Sequence, residues 1–303
     1  RHRRKGPRHR RRMGRDHSMK IYDDTICSLG EGPLWHPLRQ QLYWFDIHGQ
    51  AFHTREDGKT RSWHFEEDVS AAGWVDDTHL LMATETRLLR FNVETGAQED
   101  IAPLEADNPE TRSNDGRADP MGGFWIGTMA KHERTPSGTI YRYYKGEIRP
   151  LFEHITIPNA ICFTPDKSQA YYCDTIDNLM KRVDLDADGW PTGDPEVWLD
   201  LSGKPFGADG AVIDANGNIW NAQWGGWRIA KYAPDGTFLD EVKINAAHTS
   251  CPAFGGENLT TLFCTTAGGR VTDEDRAKSS DHGKVFALET ETKGQAEHQV
   301  LLS

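Results

Sequence analysis

Four oxygen-bearing side chains stand at matching places in four separate stretches of this chain. Glu31 opens "EGPLW", Asn114 sits in "SNDGRADP", Asn159 in "IPNAICF" and Asp209 in "GADGAVI". Each stands just before a short apolar run. Two carboxylates and two carboxamides are hard oxygen donors. Ca2+ takes about six to eight such oxygens, with water completing the shell, so Ca2+ is the first expectation, with Mg2+ and Mn2+ after it. Zn2+ could use the carboxylates but ordinarily wants nitrogen or sulfur, which this set lacks. An aspartate beside such an ion stays ionised and can orient or deprotonate water, while the ion polarises a carbonyl oxygen. That chemistry suits hydrolysis of a reactive ester or lactone.

Arg112 lies two residues before Asn114, on the same face of an extended segment. A cation there can hold a substrate carboxylate, sulfonate or polarised oxygen over the ion. It can equally pair with an acidic neighbour. Each of the four stretches, taken alone, also reads as a turn, since Asn and Asp accept left-handed geometry and Gly follows in "SNDG" and "ADG". Only their shared register separates a ring of ligands from four unrelated turns. A fifth stretch, "DLDADG" at 184–189, imitates the opening of a Ca2+ loop, but the twelfth position is Pro195 where a bidentate Glu belongs, so it reads as a turn. The thirteen histidines form no spaced ligand pair, and His36 before Pro37 reads as a turn residue. No G-x-S-x-G elbow and no phosphate-binding glycine loop occurs, which disfavours a Ser-His-Asp hydrolase and a nucleotide enzyme.

The elements that must position these side chains are strands. From residue 20 onward, alternating runs such as "QQLYWFDIHGQAFHT" and "THLLMATETRLLRFN" are bounded by "EDG", "ETG", "DADG", "DANG" and "PDG" turns. A longer period overlies them. Stretches beginning near 31, 70, 114, 159, 209 and 251 share one plan: small or polar residues, a short strand, an Asp/Gly/Asn turn, and a second strand. Their spacing of 39 to 50 residues, about four strands each, predicts an all-β fold, a six-bladed β-propeller. In that architecture the first strand of every blade lines a central channel, so Glu31, Asn114, Asn159 and Asp209 converge on one mouth. The remaining two units place Ser70 and Cys251 there.

Charge is divided sharply. Residues 1–20 hold ten Lys/Arg and one Asp, a net of +9; the whole chain is −11, so residues 21–303 sum to −20. An acidic body of that size repels nucleic acid and anionic membranes, and no apolar run approaches membrane-spanning length. Residues 1–18 read as a disordered basic leader or a mis-set start, and 19–303 as a single domain. Five cysteines without a C-x-x-C pair predict reduced, mostly buried thiols and a cytoplasmic protein. Trp224 and Trp227 are expected to pack between blades.

In these same stretches the chain resembles the gluconolactonase/regucalcin (senescence marker protein) family. The resemblance runs from "LGEGPLW" through "RSNDGRADPMGGFWIGTM", "IPNAICFTPD", "GADGAVIDANGNIWNAQWGG" and "TSCPAFGG", covering nearly the whole body. It implies a six-bladed propeller holding one divalent metal ion in its channel and hydrolysing sugar lactones to sugar acids. It also implies Glu31, Asn159 and Asp209 as metal ligands, Asp209 as general base or acid, and Arg112 and Asn114 as substrate contacts. Where some relatives use a Glu after "GTM" to bind sugar hydroxyls, this chain has Lys131 and His132 with Glu133 beside them, which extends the substrate contacts to His132 and Glu133. Ser113 stands where relatives often carry Phe and widens the pocket. Two other functions remain compatible with the same ligands: a calcium-binding regulatory protein without turnover, and a metal-dependent propeller esterase or organophosphatase.

Overall fold

A computed structural model describes residues 18–303; the basic leader expected over 1–18 lies, but for its last residue, outside the described residues. Among them the chain is almost wholly antiparallel β. Four sheets contain four strands each, in simple sequence order from inside to outside, as in Gly30–His36, Gln41–Asp46, Ala51–Glu56 and Lys59–His64. A fifth sheet of eight strands consists of two further quartets joined through one residue pair, Trp224 with His248. The first strands of the quartets are Gly30–His36, Val69–Trp74, Thr111–Ala118, Pro158–Phe163, Gly207–Ile213 and His248–Gly255. Each packs against the next and the last returns to the first, which closes a ring around a channel. This is a β-propeller.

The local chemistry explains the strands. Short turns are set by Asx side chains accepting backbone N–H groups: Asn92 Oδ1 from Glu94 and Thr95, Asp214 Oδ1 from Asn216 and Asn218, Asp235 Oδ1 from Thr237. "DLDADG" is such a turn, with Asp186 Oδ1 accepting from Asp188 N and Trp190 N. His36 likewise caps a turn, its Nδ1 receiving Leu38 N and Arg39 N. Between neighbouring sheets the inward residues interlock; Tyr43, Phe45, Phe52, Leu80, Met82, Leu89 and Phe91 fill one such layer. All five cysteines are unbridged and buried.

Two closures were not visible in the pattern. The last quartet takes three strands from the C-terminal part and its outer strand, Lys20–Asp23, from the N-terminal part, paired to Val285–Glu289. Beyond Glu289 the chain crosses the far end of the ring. Gln295 Nε2 donates to Phe163 O and Ile213 O, Trp74 Nε1 donates to Glu297 O, and Leu301 N donates to Gly122 O. This strap touches the ends of inner strands, opposite the starts that carry the candidate ligands. The short helix Asp273–Lys278, capped by Thr272, is the only helix among the described residues, and no helix is long and apolar enough to cross a membrane.

Candidate metal centre and active-site cavity

Every one of the six inner strands is interrupted by a register shift near its start: between Glu31 and Leu34, Val69 and Ala71, Ser113 and Gly116, Asn159 and Cys162, Ala208 and Ala211, and Thr249 and Cys251. A β-bulge bends the strand and re-aims its side chains. Gly32 and Ala160 take φ of 57° and 59° within these bulges. The common device gathers residues that lie up to 178 positions apart (31 to 209) at one end of the channel.

There they line a cavity of about 390 Å³. Glu31, Arg112, Asn114, Asn159 and Asp209 form its base and wall, and Lys131, His132 and Glu133, from the loop after Phe124–Ala130, its rim. All seven residues expected at the site from sequence therefore face one space. Ser70 and Cys251 do not line it. Ser70 Oγ bonds Ser113 Oγ at 2.7 Å, and Cys251 lies buried with Glu31 and Asp115, their ligand atoms within 4.8 Å of one another. Trp224 packs between quartets as expected, stacked on His248 at 4.2 Å, and also lines the cavity; Trp227 packs edge-on to His282.

The carboxamides are tied into the ring. Arg112 Nη1 donates to Ser113 O at 3.0 Å and to Asn114 Oδ1 at 3.1 Å; Asn114 Nδ2 donates to Pro158 O at 2.9 Å. Asn159 Nδ2 donates to Thr175 Oγ1 at 2.7 Å, and Thr175 Oγ1 in turn donates to Ala208 O at 2.7 Å. With its amide turned, Asn159 donates instead to Pro158 O at 3.1 Å and to Asp209 Oδ1 at 2.9 Å and accepts from Thr175 Oγ1 at 2.7 Å, the better-bonded arrangement. Either orientation keeps the Asn159 amide beside the Asp209 carboxylate, and with Oδ1 turned toward Asp209 the pair presents two oxygens to a cation. The donor set fits a hard divalent ion.

Electrostatics point the same way. Glu31 is pushed up to about 8 by burial and then by the charge of Asp115, against a hydrogen bond with Asp209 that pulls it down, while Asp209 is held well above the carboxylate range by burial and then by Glu31 and Asp115. Asp115 is pushed up to about 6 by burial, against the pull of Arg117. Three buried acids in so small a volume form a place where positive charge is missing. Asp115 was not singled out from sequence although it follows Asn114 directly. Nor were His48, Thr175 and Arg270, which reach the cavity from turns with no motif of their own.

Comparisons with known proteins identify the family. Residues 29–268 match the family model described as SMP-30/Gluconolactonase/LRE-like region. A solved calcium-binding protein, regucalcin from Agrobacterium tumefaciens, superposes with a TM-score of 0.91 at 37% identity, over 94% of this chain and 97% of that one. An L-arabinolactonase from Azospirillum brasilense is 33% identical over 90% of this chain and 92% of its own. A 6-deoxy-6-sulfogluconolactonase from Pseudomonas putida is 30% identical over 89% and 94%. With a family model spanning most of the described residues and relatives aligned nearly end to end, this chain belongs to the SMP-30/gluconolactonase/LRE-like family.

Proposed function

We propose that this protein is a metal-dependent hydrolase that opens a sugar lactone to the free sugar acid, built as one six-bladed domain over residues 19–303. The observation that carries the reading is the convergence of Glu31, Asn159 and Asp209, three buried oxygen-bearing side chains from three inner strands, on one cavity walled by Arg112. Glu31, Asn159 and Asp209 would hold the ion, Ca2+ before Zn2+, Mn2+ or Mg2+. When bound, it supplies a Lewis acid that polarises the ester carbonyl. The relatives named as lactonases, and the calcium-binding neighbour, support both halves of the proposal.

The chain's own groups divide the remaining work. Asp209 Oδ1 accepts Gly210 N at 2.9 Å, which fixes the carboxylate's plane and leaves Oδ2 to act on protons. Water adds to the lactone carbonyl carbon as Asp209 takes its proton. The ring C–O bond then breaks, and the same proton passes to the departing ring oxygen. Arg112 and Asn114 orient the ester and its neighbouring hydroxyls, with His132 and Glu133 contacting the sugar from the rim. Unbridged buried cysteines fit a reducing compartment, and the cytoplasm is the proposed location.

The test is acid release from a panel of aldonolactones, with chelator and with each metal added back. Turnover should vanish with chelator and return with Ca2+. Asp209→Asn should lower the rate by about 10²–10⁴-fold or more, because it removes a base and weakens a ligand. A variant that opens lactones at near the parent rate would overturn the assignment of the base. Trp224 in the cavity wall favours adding aryl esters to the panel, since an aromatic face serves an aryl leaving group as well as a sugar ring. Calcium binding without turnover of any ester would leave the regulatory reading.

A further inference from the structure

The rim of the cavity has a charge unlike the rest of the molecule. Arg112, Lys131, Arg134 and Arg270 line it, against one rim carboxylate, Glu133. Lys131 is neutralised by an ion pair with Glu85, but Arg112, Arg134 and Arg270 have no ion-pair partner among the described residues. Arg112 is the telling member. It is only 5% exposed, its two hydrogen bonds both leave from Nη1, and its buried Nε has no partner. Asp68, Glu31 and Glu85 attract it without bonding it, and the guanidinium of Arg270 is near enough to oppose its charge.

A buried guanidinium with no hydrogen-bonded carboxylate, sharing a cavity with a second cation that has no ion pair, is costly by itself. Both costs are relieved when an anion enters between them. Glu31 attracts Arg112 without bonding it and, on the reading proposed above, is engaged with Asp209 in holding the ion. The surrounding body carries a net −20 over residues 21–303, which repels anions in general. Cations concentrated at this one opening therefore act on what enters it.

Resting on the lactonase reading, we propose that the preferred substrate is a sugar lactone bearing an anionic substituent. Its carboxylate, sulfonate or phosphate is received by Arg112 and Arg270, while the ring ester lies over the ion site. The family does not dictate this, since relatives differ in the sugar their names carry.

The experiment compares kcat/KM of the full chain, saturated with Ca2+, on four lactones. These are plain gluconolactone, its terminally phosphorylated and sulfonated forms, and the lactone of the dicarboxylic sugar acid. The anionic lactones should be preferred by about tenfold or more at low salt through a lower KM, as expected for a charge-assisted contact. The preference should shrink as salt rises, and the ranking within the three names the headgroup. Arg270→Gln should cut kcat/KM for the favoured anionic lactone about tenfold more than for the neutral one. Equal use of neutral and anionic lactones at low salt, or an Arg270→Gln effect equal on both, overturns the inference while lactone opening stands. If no lactone is opened, the enzymatic reading falls and this inference with it.

Discussion

Replacing Glu31 by Gln should stabilise the stripped protein and abolish its response to calcium. Glu31 shares its surroundings with Asp115 and Asp209, all buried, and the Glu31 and Asp115 ligand atoms lie within 4.8 Å of each other. Two full charges at that separation repel by roughly 3 kcal/mol at an effective dielectric of about 20. Unfolding entropy of about 2.1 cal/mol/K per residue makes 1 kcal/mol worth roughly 1.6 °C for a chain of 303 residues. Stripped Glu31→Gln should therefore melt about 2–5 °C above stripped parent, part of the repulsion having been relieved by proton uptake. Calcium at about a hundred times its Kd should raise the parent by about 2.7 kcal/mol, or 4–5 °C, and the variant by about 1 °C at most. The pH sense follows from burial and like charge raising Glu31 and Asp209. The folded form binds protons that the unfolded chain has released, so the stripped parent loses stability as pH rises above the ordinary carboxylate range. The advantage of Glu31→Gln should widen across that rise. Thermal unfolding with and without chelator at several pH values reads all of this. A stripped variant that melts below stripped parent throughout, or that keeps the full calcium shift, refutes the picture of a buried acid cluster awaiting a cation.

Three further outcomes are expected elsewhere. Glu297→Gln leaves Arg117 buried without its carboxylate at 2.5 Å, although Ile161 O and Ala211 O remain; about 3 kcal/mol should be lost, a fall of roughly 5 °C, with earlier proteolysis of the C-terminal strap. Asp23 is opposed by burial, but bonds from Thr60, Thr25 and Arg55 outweigh it and hold its pKa below the usual range. Its contribution is thus complete above an unfolded pKa of about 4 and lost as pH falls through the folded value, so the hydrogen-exchange protection of Lys20–Asp23, taken against the intrinsic rate at each pH, should fall in acid before the body unfolds, and Asp23→Asn should remove that pH dependence. Gly32→Ala forces a Cβ at φ 57° to within 2.5 Å of Ser70 O; it should cost about 2–3 kcal/mol in melting experiments and weaken calcium binding through the adjoining Glu31.

The architecture was legible because each repeat restates it. Turn chemistry at "ETG", "DANG" and "PDG" and alternation between turns fix strands, and a period near 44 residues fixes how many form a unit. Glu31, Asn114, Asn159 and Asp209 could be grouped for the same reason, since their common register carries information that no single turn does. What escaped has no repeat behind it. Lys20–Asp23 is four residues long with no apolar alternation of its own, and it becomes a strand only because Val285–Glu289 offers an edge. The strap after Glu289 is held by side chains such as Gln295 and Glu297 reaching backbone carbonyls and Arg117, contacts that no periodicity announces. Arg270 and Thr175 reach the cavity from turns, where position follows from tertiary packing.

Asp115 shows how the two sorts of information meet. The register shift between Ser113 and Gly116 lets adjacent residues serve different layers of one site. Asn114 faces the cavity, while Asp115 sits lower and accepts Ile161 N at 3.0 Å. Asp115 thereby ties this inner strand to the next one, which carries Asn159, and places a third acid beneath Glu31. A strand without the bulge would have one residue to spend at that level. The bulge in every inner strand thus answers a physical demand. A hard cation needs oxygens from several directions within a few ångströms, and strands spaced around a channel approach closely enough only where each bends inward. The rim has no such demand on it, because the loop carrying Lys131, His132 and Glu133 lines the cavity above the buried acids. Ion binding and lactone choice should therefore separate under mutation. Changes at Arg270 should move substrate preference without altering the calcium-dependent melting shift, whereas changes at Glu31 should move both.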